Sequence, residues 1–373
     1  MIIWAEAVVT EIRKQWTGAV ELFARRDDQA TCRALAYTDL LPAPEVGDRL
    51  LLNVAALERG LGTGGYALVV AVLGPDGHLK GQPAPPRGHL VKARYLPLQA
   101  MVAGADEQGS PWHAGLAEAD DLHGLPVLVA DLHSALAPIA AAVAADRPGT
   151  RVVYVMSDHG ALPLAFSRTV AQLREAGLLA ATVTAGQAFG GDLEAVNVHS
   201  ALLAARVALD AQLVVLTQGP GNLGTGTRWG FSGVACGEAV NATATLGGRP
   251  VGSLRISGAD ARPRHRGVSH HSLTAYGRVA LLPADLAVPD LAGATRLNGM
   301  AGLEAVATMA AQIEEAVSRL SLHRRVLVAL DGLDAALRAS PVRLSTMGRG
   351  LDEDPAYFLA AAASGRHAAA LLA

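Results

Sequence analysis

The sequence predicts an α/β protein with a mainly parallel, Rossmann-like sheet and flanking helices, preceded by a small N-terminal β-barrel. Three observations predict it. From Leu125 onward, short apolar runs alternate with longer segments of helical periodicity, the pattern of βαβ units. One of these runs, Leu213-Val-Val-Leu216, is apolar at every position, which suits a strand covered on both faces. Before about residue 73 the apolar runs are short, separated by turn residues and without helical periodicity, as in a small barrel.

The barrel strands are expected at Ile3–Ile12, Gly18–Phe23, Ala30–Tyr37, Leu50–Val54 and Tyr66–Leu73, with Pro42, Pro44 and Gly47-Asp48 marking a turn. Gly74–Gly88 holds Pro75, Pro83, Pro85 and Pro86 and reads as a linker or a long hairpin excursion. His89–Gln99 reads as one more strand. The barrel domain is thus placed at residues 1–95, a connecting segment at 96–124 and an α/β domain at 125–373. In the last, strands are expected at Pro126–Ala130, Arg151–Met156, Ala181–Thr184, Leu213–Leu216, Val251–Ile256, Arg278–Leu282 and Val326–Leu330. Helices are expected after Ala130, from Pro163 to Gly177, over Leu193–Leu209, Val234–Leu246, Leu303–Leu320 and Pro355–Ala370. Val306, Met309, Ile313 and Val317 lie at helical spacing. Pro163 suits a first helical turn and Gly177 a C-terminal stop.

A chain of 373 residues with 51% hydrophobic and 4% aromatic residues must build its core from Ala, Val and Leu. The formal charge of −3 argues against wholesale nucleic-acid binding. In the barrel, Arg13, Lys14, Arg25, Arg26 and Arg33 are offset by Glu6, Glu11, Glu21, Asp27 and Asp28, and Trp4, Trp16, Phe23 and Tyr37 read as core rather than as base-stacking residues. Cys32 and Cys236 lack metal or redox spacing and are expected as reduced thiols. The N-terminal residues lack the pattern of a signal peptide, and the longest uncharged runs are too short to span a bilayer. A cytoplasmic protein with no membrane partner is expected; a homo-oligomer is compatible with the sequence.

In a parallel sheet, polar residues that follow each strand converge on one edge. After the first strand come Asp131, His133 and Ser134. After the second come Ser157, Asp158, His159 and Gly160. After the third come Gly186, Gln187, Gly190, Gly191 and Asp192. The fourth strand runs into Gly219–Gly233, a stretch with six glycines that has little hydrophobic reason to exist. Gly219, Gly221, Asn222, Gly224, Thr225, Gly226 and Thr227 are its candidate ligand-holding residues, with backbone N–H groups turned inward. Gly219-Pro-Gly-Asn-Leu-Gly224 fits the glycine string of dinucleotide sites, but Pro220 and the missing acidic residue downstream depart from it. The fifth strand is followed by Asp260, Arg262, Arg264, His265, Arg266, His270 and His271.

Arginine forks bind carboxylate or phosphate bidentately, so Arg262, Arg264 and Arg266 point to an anionic ligand. For chemistry, His270 or His271, and His159 with Asp158, are the candidate proton carriers, with Asp131 or Asp158 orienting a ring. His133, His159, His270 and His271 with Asp131 and Asp158 also form a donor set for a divalent metal, although no paired-ligand motif supports it. Asp131, Ser134 and Asp192 have a plainer reading as helix N-caps. There is no G-x-S-x-G elbow for a serine nucleophile. No cofactor follows from these residues.

Leu132-His-Ser134, Phe189–Asn197, Gly219–Thr227, Arg264–His271 and Ser345–Arg349, in that order, resemble a bacterial family catalogued only as a domain of unknown function. The resemblance implies a bacterial cytosolic protein, supplies no activity, and adds Arg349 to the candidate binding residues. The expected function is that of an enzyme, a hydrolase or group transferase, acting on a small anionic substrate at the C-terminal strand edge. Two alternatives stand beside it: a non-catalytic metabolite or nucleotide sensor, and an RNA-associated protein that uses the barrel.

Overall fold

The computed structural model describes residues 2–61, 64–74, 76–81, 88–159, 162–291 and 303–372. Pro75, Pro83, Pro85, Pro86 and Gly160, named above, lie outside the described residues.

The barrel is closed by β1 (Trp4–Trp16), β2 (Ala19–Arg26), β3 (Thr31–Tyr37), β4 (Arg49–Asn53) and β5 (Ala67–Leu73), in the order β1-β2-β3-β5-β4. A short helix, α1 (Ala55–Glu58), joins β4 to β5. Thr17 and Gly18 turn β1 into β2, and Gly18 adopts φ +80°, where a glycine avoids the Cβ clash. Alternation sets the inside: Leu50 and Leu52 are buried while Arg49, Leu51 and Asn53 are not. Trp16 and Tyr37 pack on the second domain, with Trp16 Nε1 donating to the Ala165 carbonyl at 2.7 Å.

The segment expected as one strand over His89–Gln99 is instead a small hairpin, β6 (Leu90–Lys92) against β7 (Ala100–Val102). Tyr95 takes φ +67° within the intervening turn, so the run cannot stay extended. Lys92 is fully buried and ties this hairpin to the second domain, 3.1 Å from Glu194 and donating to the Gly186 and Ala188 carbonyls. A short helix, α2 (His113–Leu116), follows.

The second domain carries β8 (Pro126–Ala130), β9 (Val152–Ser157), β10 (Ala181–Ala185), β11 (Leu193–Ala195), β12 (Leu213–Gln218), β13 (Arg249–Ser253), a two-residue ribbon of β14 (Ile256–Ser257) with β15 (Gly267–Val268), then β16 (Asp285–Pro289) and β17 (Arg324–Val328). Its sheet runs β11-β10-β9-β12-β8-β13-β16-β17, with every pairing parallel. All residues of β8, β9 and β12 are buried, as their unbroken apolar runs require. The helices are α3 (Leu136–Asp146), α4 (Arg168–Glu175), α5 (Val198–Val207), α6 (Ala235–Thr245), α7 (His270–Thr274), α8 (Leu303–Ser318), α9 (Leu333–Arg338) and α10 (Pro355–Ala370). The alanine content has its use here: Gly365 of α10 lies so close to α3 that a Cβ would meet the Ile139 carbonyl at 2.6 Å. Among the described residues, no helix is long and apolar enough to cross a membrane.

Two expectations shift. Leu193–Leu209 splits into the edge strand β11 and helix α5, because Asn197 caps α5 in a reciprocal bond with Ser200 and fixes its start. Arg278–Leu282 is not a strand. Residues Ala275–Val279 continue α7 as a π-helical turn, anchored by Tyr276, whose hydroxyl donates to the Val129 or Ser253 carbonyl at 3.1 and 3.0 Å. The strand begins after Pro283, at Asp285.

The connection from β8 runs to β9, and the one from β12 runs to β13, in opposite directions across the sheet. Such a reversal opens a crevice at the strand C-termini, where open α/β sheets bind ligands.

Candidate functional site

The ends of β8, β12 and β13 build one cluster. β13 does not pass directly into a helix. It bends at Leu254-Arg255 and continues as β14, which folds back on β15. Between these strands lie Asp260, Arg262, Arg264, His265 and Arg266; just beyond lie Ser269, His270 and His271. The ribbon is too short to hold itself. Asp354, the residue before α10, fastens it by accepting from Ser257 Oγ at 2.6 Å and Gly258 N at 3.0 Å. Arg349 bridges the same carboxylate and Asp260, at 3.1 and 3.4 Å. Ser134 of the β8 end joins from the other side, with Oγ 2.6 Å from the Tyr357 hydroxyl.

Asp260 receives both forks of Arg262 at 2.9 Å, which hold its carboxyl well below the usual carboxylate range. Arg266 donates to the Asp260 carbonyl at 2.9 Å. Arg262 and Arg266 therefore support the loop, whereas Arg264 has no acidic partner among the described residues.

Inside the cluster, Arg255 is buried between Asp131 at 3.9 Å, Asp260 at 3.7 Å and His271 Nδ1 at 3.1 Å. His271 Nδ1 also stands 3.4 Å from Asp131 Oδ2. The His271 ring lies flat on Phe231, with centroids 3.8 Å apart. His265 and His270 complete a triangle of rings, with centroids 4.9, 4.9 and 4.5 Å apart. His265 Nδ1 is 2.7 Å from Ser269 Oγ, and the same hydroxyl caps α7. Burial, helped by nearby arginines, pushes His265 down to about 3 and His270 to about 4, so both rings are neutral near pH 7.

The glycine stretch leaves β12 as an exposed hairpin-like loop pinned at its base. Gln218 Nε2 donates to the Asp131 carbonyl at 2.6 Å and to Asn222 Oδ1 at 3.0 Å, and Asn222 Oδ1 also accepts from Gly233 N at 3.2 Å. Gly221 and Gly226 take φ +94° and +81°, which their neighbours could adopt only with strain. The amides of Leu223, Thr225 and Gly230 are engaged within the loop and its base. Gly219 follows directly on β12, Gly224 pairs with Phe231 across the loop, and Thr225 and Thr227 bond each other at 3.2 Å. These bonds fold the loop on itself, while the amides of Gly226, Thr227 and Arg228 at its tip make no hydrogen bond among the described residues.

Its tip, at Gly226 and Arg228, faces a cavity of about 620 Å³ that Arg264, His270, Arg278 and Arg319 also line. Among the described residues, no acidic residue lines it. Arg319 pairs with Glu315, but Arg228, Arg264 and Arg278 have no acidic partner among the described residues.

The remaining sequence-predicted residues lie elsewhere. His133 is buried in the fold, with Nδ1 3.0 Å from the Tyr154 hydroxyl and Nε2 2.7 Å from Ser167 Oγ, and burial pushes it down to about 4. Asp158 and His159 line a separate cavity of about 310 Å³ with Asn197, His199 and Glu238. Asp158 accepts there from Gln187 N at 2.9 Å. Asp192 accepts from Thr182 N and Oγ1 at 2.7 and 3.0 Å and pairs with Arg174, tying β10 to its edge. The single rim expected from the strand ends is thus divided into a cluster at β8, β12 and β13 and a second group near β9 and β10.

Sequence reasoning missed Arg255, Phe231, Asp354, Arg278 and Arg319 as members of the cluster and its cavity. Arg255 carried a signal: a lone charge inside Leu254-Arg-Ile256, where a covered strand has no use for one. Asp354 lies far along the chain and carried none.

The five stretches quoted above span the cluster and its supports. The family described as a protein of unknown function, DUF3866, matches residues 33–365. The chain belongs to the DUF3866 family. The match begins within the barrel and runs to α10, so Asp354 and Arg349 fall inside it with the histidines. No curated protein and no solved structure matches the chain.

Proposed function

We propose that this DUF3866 protein is an enzyme, a hydrolase or group transferase, that acts on a small anionic substrate at the C-terminal edge of its parallel sheet. The observation that carries the reading is the cavity beside His270, whose charged walls are arginine alone. Arg319 has Glu315, but the guanidinium groups of Arg228, Arg264 and Arg278 have no acidic partner among the described residues and repel each other unless an anion or solvent ions offset them. Guanidinium forks match phosphate and carboxylate geometry. His271 stands 3.4 Å from Asp131 without a hydrogen bond and does not line the cavity, so the enzyme reading rests on His270 at the cavity wall. His270 lines the cavity as a neutral imidazole and serves as an acceptor there. In the barrel, Arg13, Arg26, Arg33 and Arg49 each face a carboxylate, which weakens the RNA reading.

The test is a thermal-shift series at constant ionic strength with inorganic phosphate, pyrophosphate, nucleotides and dicarboxylates. A ligand of the folded state raises its melting temperature. At least one of these anions is expected to do so beyond matched chloride, and Arg264→Ala with Arg278→Ala is expected to abolish the effect. No stabilisation by any of them would overturn the anion site. Turnover of the stabilising compound, followed by product release, separates the enzyme from the sensor.

A further inference from the structure

We infer that His265, His270 and His271 together form a binding site for a first-row divalent transition-metal ion of the zinc type. One ring nitrogen from each lies within 4.8 Å of the other two, and this trio is the metal-competent group found among the described residues. The wiring of the rings supports it. His265 Nδ1 is 2.7 Å from Ser269 Oγ and His271 Nδ1 accepts from Arg255 Nη1 at 3.1 Å, which leaves Nε2 as the ligand atom on both. Metal-bound histidines commonly anchor the other ring nitrogen on such a carboxylate or hydroxyl.

Two unsatisfied atoms make the same point. Among the described residues, the buried side-chain polar atoms without a hydrogen bond are Arg33 Nε, Asp131 Oδ2 and His270 Nε2. Two of these belong to this cluster, and buried polar atoms without partners are costly. A cation would satisfy both. It would take the lone pair of His270 Nε2 directly. Arg255 Nη1 can only donate, so at 3.1 Å it makes His271 Nδ1 an acceptor and leaves the ring proton on Nε2. Metal at Nε2 sends that proton to Nδ1; Arg255 Nη1 then has to turn from Nδ1 to Asp131, 3.9 Å away, while Nδ1–H donates to Asp131 Oδ2 at 3.4 Å.

The fit needs a small closure. Tetrahedral zinc holds its nitrogens about 3.4 Å apart at bond lengths near 2.0–2.1 Å. A span of 4.8 Å therefore asks each ring to move by less than about 1 Å. Three imidazoles suit zinc and its neighbours rather than magnesium or calcium. Three protein ligands also leave a coordination position open. With an anion on the arginines, as proposed above, the cation would sit beside it, because His270 belongs to both the metal site and the cavity wall. The metal site itself does not depend on that reading.

The test uses the full chain without an affinity tag, stripped with chelator and titrated calorimetrically with Zn²⁺ in chloride buffer. One ion per chain is expected beyond any bound by the triple variant His265→Gln/His270→Gln/His271→Gln. His270→Gln alone is expected to weaken binding by about 100-fold or more, and Asp131→Asn by about 10–100-fold through the lost support of His271. Uptake equal in the wild type and the triple variant overturns the proposal. Should the variants fail to fold, Co²⁺ absorption of the wild-type chain decides. Intense visible bands of a tetrahedral nitrogen site are expected, and only the weak spectrum of the hydrated ion overturns the site. No anion but chloride is present, so this outcome and that of the anion series are read separately.

Discussion

Arg255→Met tests the charge balance of the cluster most directly. The Arg255 guanidinium is 5% exposed and stands 3.9 Å from Asp131 and 3.7 Å from Asp260. Asp260 keeps two other arginines, Arg262 at 2.9 Å and Arg349 at 3.4 Å, and stays compensated without it. Asp131 has no other Lys or Arg within ion-pair reach among the described residues; its remaining ionisable neighbour is His271 at 3.4 Å. At 3.9 Å and an effective dielectric constant near 20, the attraction to Asp131 is about 4 kcal/mol before desolvation. Stripping one partner from a buried pair costs roughly 3–5 kcal/mol, because the other charge is stranded. Methionine fills much of the same space, so a cavity adds little. The expected loss is about 3 kcal/mol or more, read from the midpoint of chemical denaturation with an unchanged slope. The double variant Asp131→Asn/Arg255→Met no longer strands a charge and is expected to regain at least about 1 kcal/mol against the sum of the single losses. A single variant within about 0.5 kcal/mol of the wild type, or strict additivity in the pair, would refute the claim that Arg255 compensates a buried ionised Asp131.

Acid should destabilise the fold through His133. Its folded pKa of about 4 lies below the ordinary imidazole value of 6.5, so the unfolded chain binds the proton first as pH falls. Stability therefore declines from about pH 6.5 and levels off below about pH 4, by about 3 kcal/mol for a fully buried imidazole. Urea unfolding across that range should show the slope, and His133→Gln should flatten part of it; an unchanged slope in the variant contradicts the assignment. Gly365→Ala places a Cβ 2.6 Å from the Ile139 carbonyl and should cost about 1–3 kcal/mol by forcing α10 off α3, despite alanine's better helix propensity. A melting temperature equal to the wild type would show that the two helices part freely. Cys236 is buried and its thiol is pushed up by burial, so it should resist a thiol reagent in the native chain and react once the chain is unfolded.

The fold was largely legible because its signals are local. The runs that became β8, β9 and β12 are apolar along most of their length, and a strand covered on both faces has a use for that. The barrel followed from short runs and turn residues such as Gly47-Asp48. The errors fell where tertiary contacts override local pattern. Arg278–Leu282 looks like a strand until Tyr276 is seen to fasten a π-helical turn to β8 and β13. The cluster was legible in part. The rule that strand ends converge brought Asp131, Asp260, His265, His270 and His271 together, since all follow β8 or β13. It also swept in Asp192, whose carboxylate faces Thr182 and Arg174, and His133, whose ring points into the fold. The rule gives the edge at which a residue emerges and not the direction in which its side chain leaves. The arginines split for the same reason: Arg262, Arg264 and Arg266 alternate along a loop, so two turn toward Asp260 and the one between them is left to the cavity.

The bent end of β13 explains how a pliant loop can hold three imidazoles in place. Two residues of β14 against two of β15 make too few ladder bonds to fix a geometry on their own. Their position is instead imposed by Asp354 through Ser257 and Gly258, and Asp354 opens α10. That helix is 16 residues long and buried along most of its length against the sheet and α3. The histidines thus inherit the rigidity of the most deeply buried helix, although more than eighty residues of chain separate them from it. Arg349 adds a second tie, from the same carboxylate to Asp260, whose two remaining arginine contacts reach Arg262 on the loop and Arg255 beneath the rings. A loop needed only to join two strands would gain nothing from such bracing. A loop that must present donor atoms at fixed separations needs its supports on rigid elements, and here they run from α10 through a buried carboxylate to the ring nitrogens.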